Sequence, residues 1–306
     1  MADQSTSQGR SPQPAAVADQ VMDANPPLDH GSTAEAEPLA DEALVGPETY
    51  RAPIAGFYDV ASGGGKQALS DAREAYREVV GLVPKLGEAA RANADFVLRA
   101  VAVAAADARI TQFLDLGCGF PRQDRQTVYS IARRYRPDAR VAYVDNDPVV
   151  ACHGRALLDR SGSAWTVEAD VRDVRKVLEE VGEHLDFARP TGVIMAALVH
   201  FWPDHDDPYS IVDAYLEAFR SGLLIFTHAS ADGLSFRDRA KAVHAYARIA
   251  PLYLRSEAAI GSFMDGLTVW EPGLVEASTW RPDTPIAGDV GEAHFLAAVA
   301  EFGRSA

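Results

Sequence analysis

At 306 residues and 47% hydrophobic content, the chain is long enough for one sizeable domain with additions. A net charge of −15, with no basic patch to offset it, argues against nucleic acid and anionic membranes as partners. Cys118 and Cys152 alone give no disulfide framework and suit a reducing cytoplasm, no apolar run is long enough to span a membrane, and no basic-then-apolar segment marks a secretory signal.

Residues 1–49 hold no aromatic side chain, six prolines, and nine acidic residues against Arg10 alone. Such a segment buries too little apolar surface to offset its ordering entropy, so it is predicted to be a disordered acidic tail. Residues 50–107 read as a loop and a helical cap. The loop, 50–70, mixes aromatics with Gly63-Gly64-Gly65-Lys66, which lacks the spacing of a phosphate-binding P-loop. It reads either as a flexible connection or as a lid that uses Tyr58 and Lys66. Helices are predicted over 71–83, with Asp71 as N-cap, and over 88–107. The second carries a stripe of Ala90, Ala94, Val97, Val101 and Ala104, flanked by Asn93 and Arg99.

Residues 108–306 read as the main domain. Strand patterns at 110–116, 139–145, 164–168, 192–198 and 222–228 alternate with helical patterns near 124–136, 148–160, 173–182 and 207–220. The last two strands are nearly continuous apolar runs, as expected of central parallel strands covered on both faces. A further helix is expected over 235–249, and Ser256 can cap a short one reaching Met264. Residues 266–271 and 293–301 look like strands with no helix between them. The pattern predicts an α/β fold: a mostly parallel sheet, an antiparallel C-terminal strand pair and a helical N-terminal addition.

The first strand runs into Asp115-Leu116-Gly117-Cys118-Gly119, a strand–turn–helix cradle whose glycines permit a tight turn near a ligand. A dinucleotide fingerprint needs a small residue where Arg122 stands. Asp115 can meet an ammonium, which S-adenosylmethionine carries and a pyrophosphate cofactor does not. Cys118 reads as a small residue in the turn. Asp145, closing the second strand, is placed to accept from a ribose diol, a group common to both cofactors. Asp147 and Pro148 read as N-cap and first helical residue. Asp170, after the third strand, can accept from an adenine amino group or cap the next helix. His200, ending the fourth strand, is either a general base or a histidine bonded into the cleft wall, and His228 invites the same two readings. No ligand pair shows metal-binding spacing, so no metal is expected.

Taken together, FYDVASGGGK (57–66), RANADFVLRAV (91–101), FLDLGCGFP (113–121), ARVAYVDNDPVV (139–150), VEADVRD (167–173), LVHFWPDHDDP (198–208), THASADG (227–233) and EPGLVEASTWRPD (271–283) are a specific ordered set. From about residue 53 to 285 the chain resembles a largely actinobacterial family of S-adenosylmethionine-dependent methyltransferases, formerly a domain of unknown function. The resemblance implies the Rossmann-like class I methyltransferase fold and methyl transfer by direct displacement to a small-molecule acceptor it does not identify, leaving S-adenosyl-L-homocysteine. It implies S-adenosylmethionine bound by the loops after strands 1 to 4, which places the cofactor site at Asp115, Gly117, Cys118, Gly119, Asp145, Asn146, Asp170, Val171 and Leu198; beside it, His200 is the general-base candidate and Tyr58, Lys66 and Asn93 are the lid or acceptor candidates. Gln67-Ala68 replaces the family's usual Asp-Asn pair, and Gln126-Thr127-Val128-Tyr129 its Asn-Val-His segment. These departures motivate an alternative, a non-catalytic S-adenosylmethionine-binding regulator or scaffold. A nicotinamide oxidoreductase is a third reading, opposed by Arg122 and the paired terminal strands.

Overall fold

The structure, a computed structural model, describes residues 54–66, 68–108, 110–121, 126–159, 162–230, 232, 235–247, 249–282 and 294–303. The tail predicted at 1–49, together with Gln67 and Arg122, lies outside them.

Five apolar runs become parallel strands, β1 (Gln112–Leu116), β2 (Arg140–Asp145), β3 (Ala164–Glu168), β4 (Thr191–Ala196) and β5 (Ser221–Ala229), in the order β3-β2-β1-β4-β5. Alternate side chains feed opposite cores. Leu114, Leu116, Met195 and Phe226 pack on one face, and Phe113, Ile194 and Ile225 on the other. Burial on both faces is why β4 and β5 read as continuous apolar runs. The strand order reverses between β1 and β4, and open α/β sheets leave a ligand crevice beyond the strand ends at such a point.

The C-terminal part adds β6 (Thr268–Val269), β7 (Val275–Glu276) and β8 (Phe295–Gly303). β8 lies antiparallel to β5 from Ser221 opposite Gly303 to Ala229 opposite Phe295. The expected antiparallel closing pair is present as β6 against β8, with β7 pairing β8 further along the same edge. β6 is shorter than the predicted 266–271, and both its residues are exposed. A two-residue edge strand needs no apolar alternation, which is also why β7 escaped the sequence reading.

The loop expected over 50–70 is corrected in part: Ile54–Ala61 form a helix, α1. Its Phe57 is buried, with its ring edge-on to Tyr76 and Tyr246 at 6.0 and 5.4 Å between centroids. A Cβ on Gly56 would stand 3.1 Å from Ala72 Cβ, so this glycine lets α1 approach α2 (Ser70–Leu82) closely. Among the described residues of that span, Ser62 to Lys66, Ala68 and Leu69 are irregular. Asp71 lies inside the first turn of α2 and does not cap it; its Oδ1 accepts from the Ser70 hydroxyl at 2.9 Å.

The long helix α3 (Leu86–Ala106) packs on the sheet through Phe96, Ala100 and Ala104, while Ala94 and Val97 face the cavity described below. The predicted stripe straddles these two faces. Arg99 ties α3 to the C-terminal segment, donating to the carbonyls of Ala277 at 2.6 Å and Trp280 at 3.2 Å. The remaining helices follow prediction with trimmed ends: α4 (Val128–Tyr135), α5 (Pro148–Leu157), α6 (Val174–Val181), α7 (Pro208–Ala218), α8 (Phe236–Tyr246) and α9 (Glu257–Gly261). Thr127, Asp147, Asp173, Asp207 and Ser256 cap α4, α5, α6, α7 and α9 with their side chains. Asp173, not Asp170, thus starts α6. Among the described residues no helix is long and apolar enough to cross a membrane.

Candidate functional site

Beyond the carboxyl ends of β1, β2 and β4 lies a cavity of about 780 Å³, walled on its far side by α1 and α3. It brings together Asp115, Gly117, Cys118, Gly119, Asp145, Asn146, Asp170, Val171, Leu198, His200, Tyr58 and Asn93. Lys66 is exposed and is not among its lining residues.

The turn after β1 is shaped by backbone and glycine. The N–H groups of Gly117 and Cys118 both donate to Val144 O, at 2.8 and 3.1 Å, pinning the turn to β2. Gly117 and Gly119 take φ of +69° and +62°, which residues with a Cβ adopt at a cost. A Cβ on Gly117 would stand 2.7 Å from Leu198 Cδ1, whereas one on Gly119 would meet nothing within 4 Å, so the backbone of Gly119 faces open cavity. Asp145 Oδ2 accepts from Gly119 N–H at 2.9 Å and Oδ1 from Asp147 N–H at 3.0 Å. Each oxygen keeps a lone pair for a diol.

Asp115 has no hydrogen-bond partner among the described residues and is 9% exposed. Burial, with the nearby Asp145 charge, pushes its carboxyl up to about 7. Burial also raises Asp145, against the two N–H groups that stabilise its charge. The Cys118 thiol is pushed well up by burial and by both carboxylates, so it stays protonated. Asp170 is held low by Arg172, whose guanidinium meets both carboxylate oxygens and reaches Asp206 at 3.2 Å. Val171 offers its carbonyl to the Tyr215 hydroxyl at 2.6 Å.

A family model described as S-adenosyl methyltransferase matches residues 45–303. The chain belongs to that family. A DUF574-family protein of Streptomyces avermitilis MA-4680 is 34% identical with a TM-score of 0.76, over 82% of this chain and 97% of its own. A Thermobifida fusca YX protein described as a candidate methyltransferase is 30% identical with a TM-score of 0.77, over 83% of this chain and 96% of its own. No curated protein matches the chain.

The protein is therefore a methyltransferase that uses S-adenosyl-L-methionine. The site fits that cofactor: a buried, unpartnered carboxylate suits an ammonium, open space at Gly119 suits close approach of a ligand to backbone, and the lining carboxylates suit a net cation.

Three features of the methyltransferase site were not read from sequence. Ala197, leaving β4, takes φ +52° and donates its N–H to Thr227 Oγ1 at 2.9 Å. Arg172 engages the carboxylate that was assigned to adenine. Arg255, 6% exposed, sits behind His200. It donates to His228 Nε2 at 2.9 Å, to the carbonyls of Val199 and Trp202, and to Asp204 at 2.6 Å. The only sequence signal for Arg255 was an arginine in an otherwise apolar segment, PLYLRS.

Arg255 fixes the tautomer of His228, and Ala229 N–H that of His200. His228 accepts on Nε2, so its Nδ1–H donates to Ala229 O at 2.8 Å. His200 lies in a short 3₁₀ turn, Val199–Phe201, rather than on the strand. Its Nδ1 accepts from Ala229 N–H at 3.4 Å, which leaves the proton on Nε2. Burial, His228 and Arg255 together hold the His200 imidazole far below its ordinary range.

Proposed function

We propose that this methyltransferase moves the methyl group to a small acceptor seated between the strand ends and the α1–α3 wall. The observation that carries this reading is a single cavity joining the strand-end carboxylates to an apolar wall that includes Phe57, Val97 and Tyr246. Its volume falls within the ~300–1,000 Å³ typical of small-ligand sites. The net charge of −15 supports a small molecule over nucleic acid as acceptor.

When bound, S-adenosylmethionine supplies a methyl group already activated by its sulfonium, so transfer is a direct displacement. The chain's task is alignment and charge. In this reading Asp145 accepts from the ribose diol, Asp115 meets the ammonium, and Gly117 to Gly119 offer backbone groups. Asn146, Val171 and Leu198 line the walls around them. Asp170 accepts from the adenine amino group only through the lone pairs that Arg172 leaves. His200 is not a base here: its basic nitrogen is engaged by Ala229 and its N–H is a donor. An acceptor that brings its own lone pair at neutral pH, as an unprotonated amine or heteroaromatic nitrogen does, needs no help from His200. Nothing in the cavity favours a non-catalytic role.

Calorimetric titration with S-adenosylhomocysteine tests the assignment. Wild type should bind, and Asp145→Ala should bind about tenfold or more weakly, through loss of hydrogen bonds to a charged group. Absence of binding by wild type would overturn the reading.

A further inference from the structure

The acceptor side of the cavity holds a buried amide that the cofactor site does not use. Asn93, on α3, is 2% exposed and lines the cavity beside Ala94 and Val97. Its Nδ2 donates to the Tyr58 hydroxyl at 2.6 Å, and that hydroxyl donates onward to Ala90 O at 3.2 Å. Because the Tyr58 proton goes to a carbonyl, Tyr58 must accept from Asn93, and the amide orientation is fixed. Asn93 Oδ1 is left buried without a hydrogen-bond partner. A buried acceptor in that state favours any ligand that brings an N–H or O–H.

Resting on the proposed methyl transfer, we infer that Asn93 Oδ1 is the recognition point for the methyl acceptor, and that this acceptor is an azole-type nitrogen heteroaromatic. One ring N–H donates to Asn93 Oδ1. A second ring nitrogen presents its lone pair to the methyl group, so the transfer needs no help from the engaged His200 imidazole. Carboxylates dominate the charged lining, and Arg172 is tied to two of them, so an anionic acceptor is disfavoured. The aromatic wall suits a flat ring. In the transfer a C–N bond forms as the C–S bond breaks, the sulfur keeps the electron pair, and the methylated ring cation releases its N–H proton to water.

The probes are benzimidazole, which has both an N–H and a lone-pair nitrogen, and 1-methylbenzimidazole, which lacks the N–H. Their binding to the S-adenosylhomocysteine-loaded protein is followed by ligand-observed NMR, with calorimetry for the nucleoside itself. Benzimidazole should bind about tenfold more tightly than its N-methyl analogue, the worth of one buried hydrogen bond. Asn93→Leu should erase that preference. Tyr58→Phe, a milder change that frees the amide to rotate, should narrow it, and both variants should keep wild-type affinity for S-adenosylhomocysteine. Equal binding of the probes, no binding of either, or an undiminished preference in Tyr58→Phe would overturn the inference while leaving the cofactor site standing. Failure of wild type to bind S-adenosylhomocysteine would instead remove the reading on which the inference rests.

Discussion

Asp115 sets the chemistry of the site at the scale of one side chain. Its carboxyl, raised to about 7 from the ordinary 3.8, is largely protonated below neutrality in the free protein. On the proposed assignment a ligand ammonium needs it ionised, so binding at pH 6 would expel a proton. Affinity for S-adenosylhomocysteine should rise by up to about tenfold per pH unit toward pH 7 and level off above it. Calorimetry at pH 6 and 8 checks this, and Asp115→Asn should flatten the profile. The same shift bears on stability. A carboxyl raised in the fold contributes stability that is full below pH 3.8 and lost as pH climbs through 7. Asp115→Asn should therefore raise the melting temperature of the free protein at pH 8 and change it little at pH 4. Ala197, at φ +52°, carries a backbone strain that glycine would relieve. Ala197→Gly should stabilise by about 0.5–1 kcal/mol in urea unfolding. The carboxylates Asp115, Asp145 and Asp170 were legible because each lies at or close to the end of an apolar run. Ala197 was not, since a left-handed alanine leaves no mark in sequence. Arg255 was not, because the groups it donates to come from positions 27 to 56 residues away.

Among the elements, the exit of β4 depends on β5. Thr227, fully buried, supplies the hydroxyl that accepts the Ala197 N–H. Thr227→Val keeps the shape and strands that N–H, so it should cost about 1–3 kcal/mol by urea denaturation. α3 joins the cap to the sheet through Phe96, whose ring meets Trp280 edge-on at 5.3 Å. Phe96→Ala should cost about 3–5 kcal/mol by the same measurement. Periodicity gave the parallel strands and their helices, because a two-face core imposes it. It did not give α1: two turns containing Gly56 and followed by a glycine run look like a loop until α2 is placed beside them. The Gln126–Tyr129 segment, which departs from the family pattern, starts α4: Thr127 caps it, and Tyr129 N–H donates to the Tyr143 hydroxyl at 2.8 Å.

For the whole molecule, the sheet's connectivity decides when it can be completed. The parallel strands are contributed by residues 112 to 229, yet the long second neighbour of β5 is β8, at Phe295–Gly303. During synthesis, a ribosome that has released everything through β7 has still produced a β5 bare along one side. A nascent or truncated chain ending before Phe295 therefore displays an apolar nine-residue strand with its N–H and C=O groups open to pairing with other chains. Quality control in the cell would meet this protein as an aggregation hazard until its final strand emerges, and a premature stop codon late in the reading frame would be far more damaging than the few missing residues suggest.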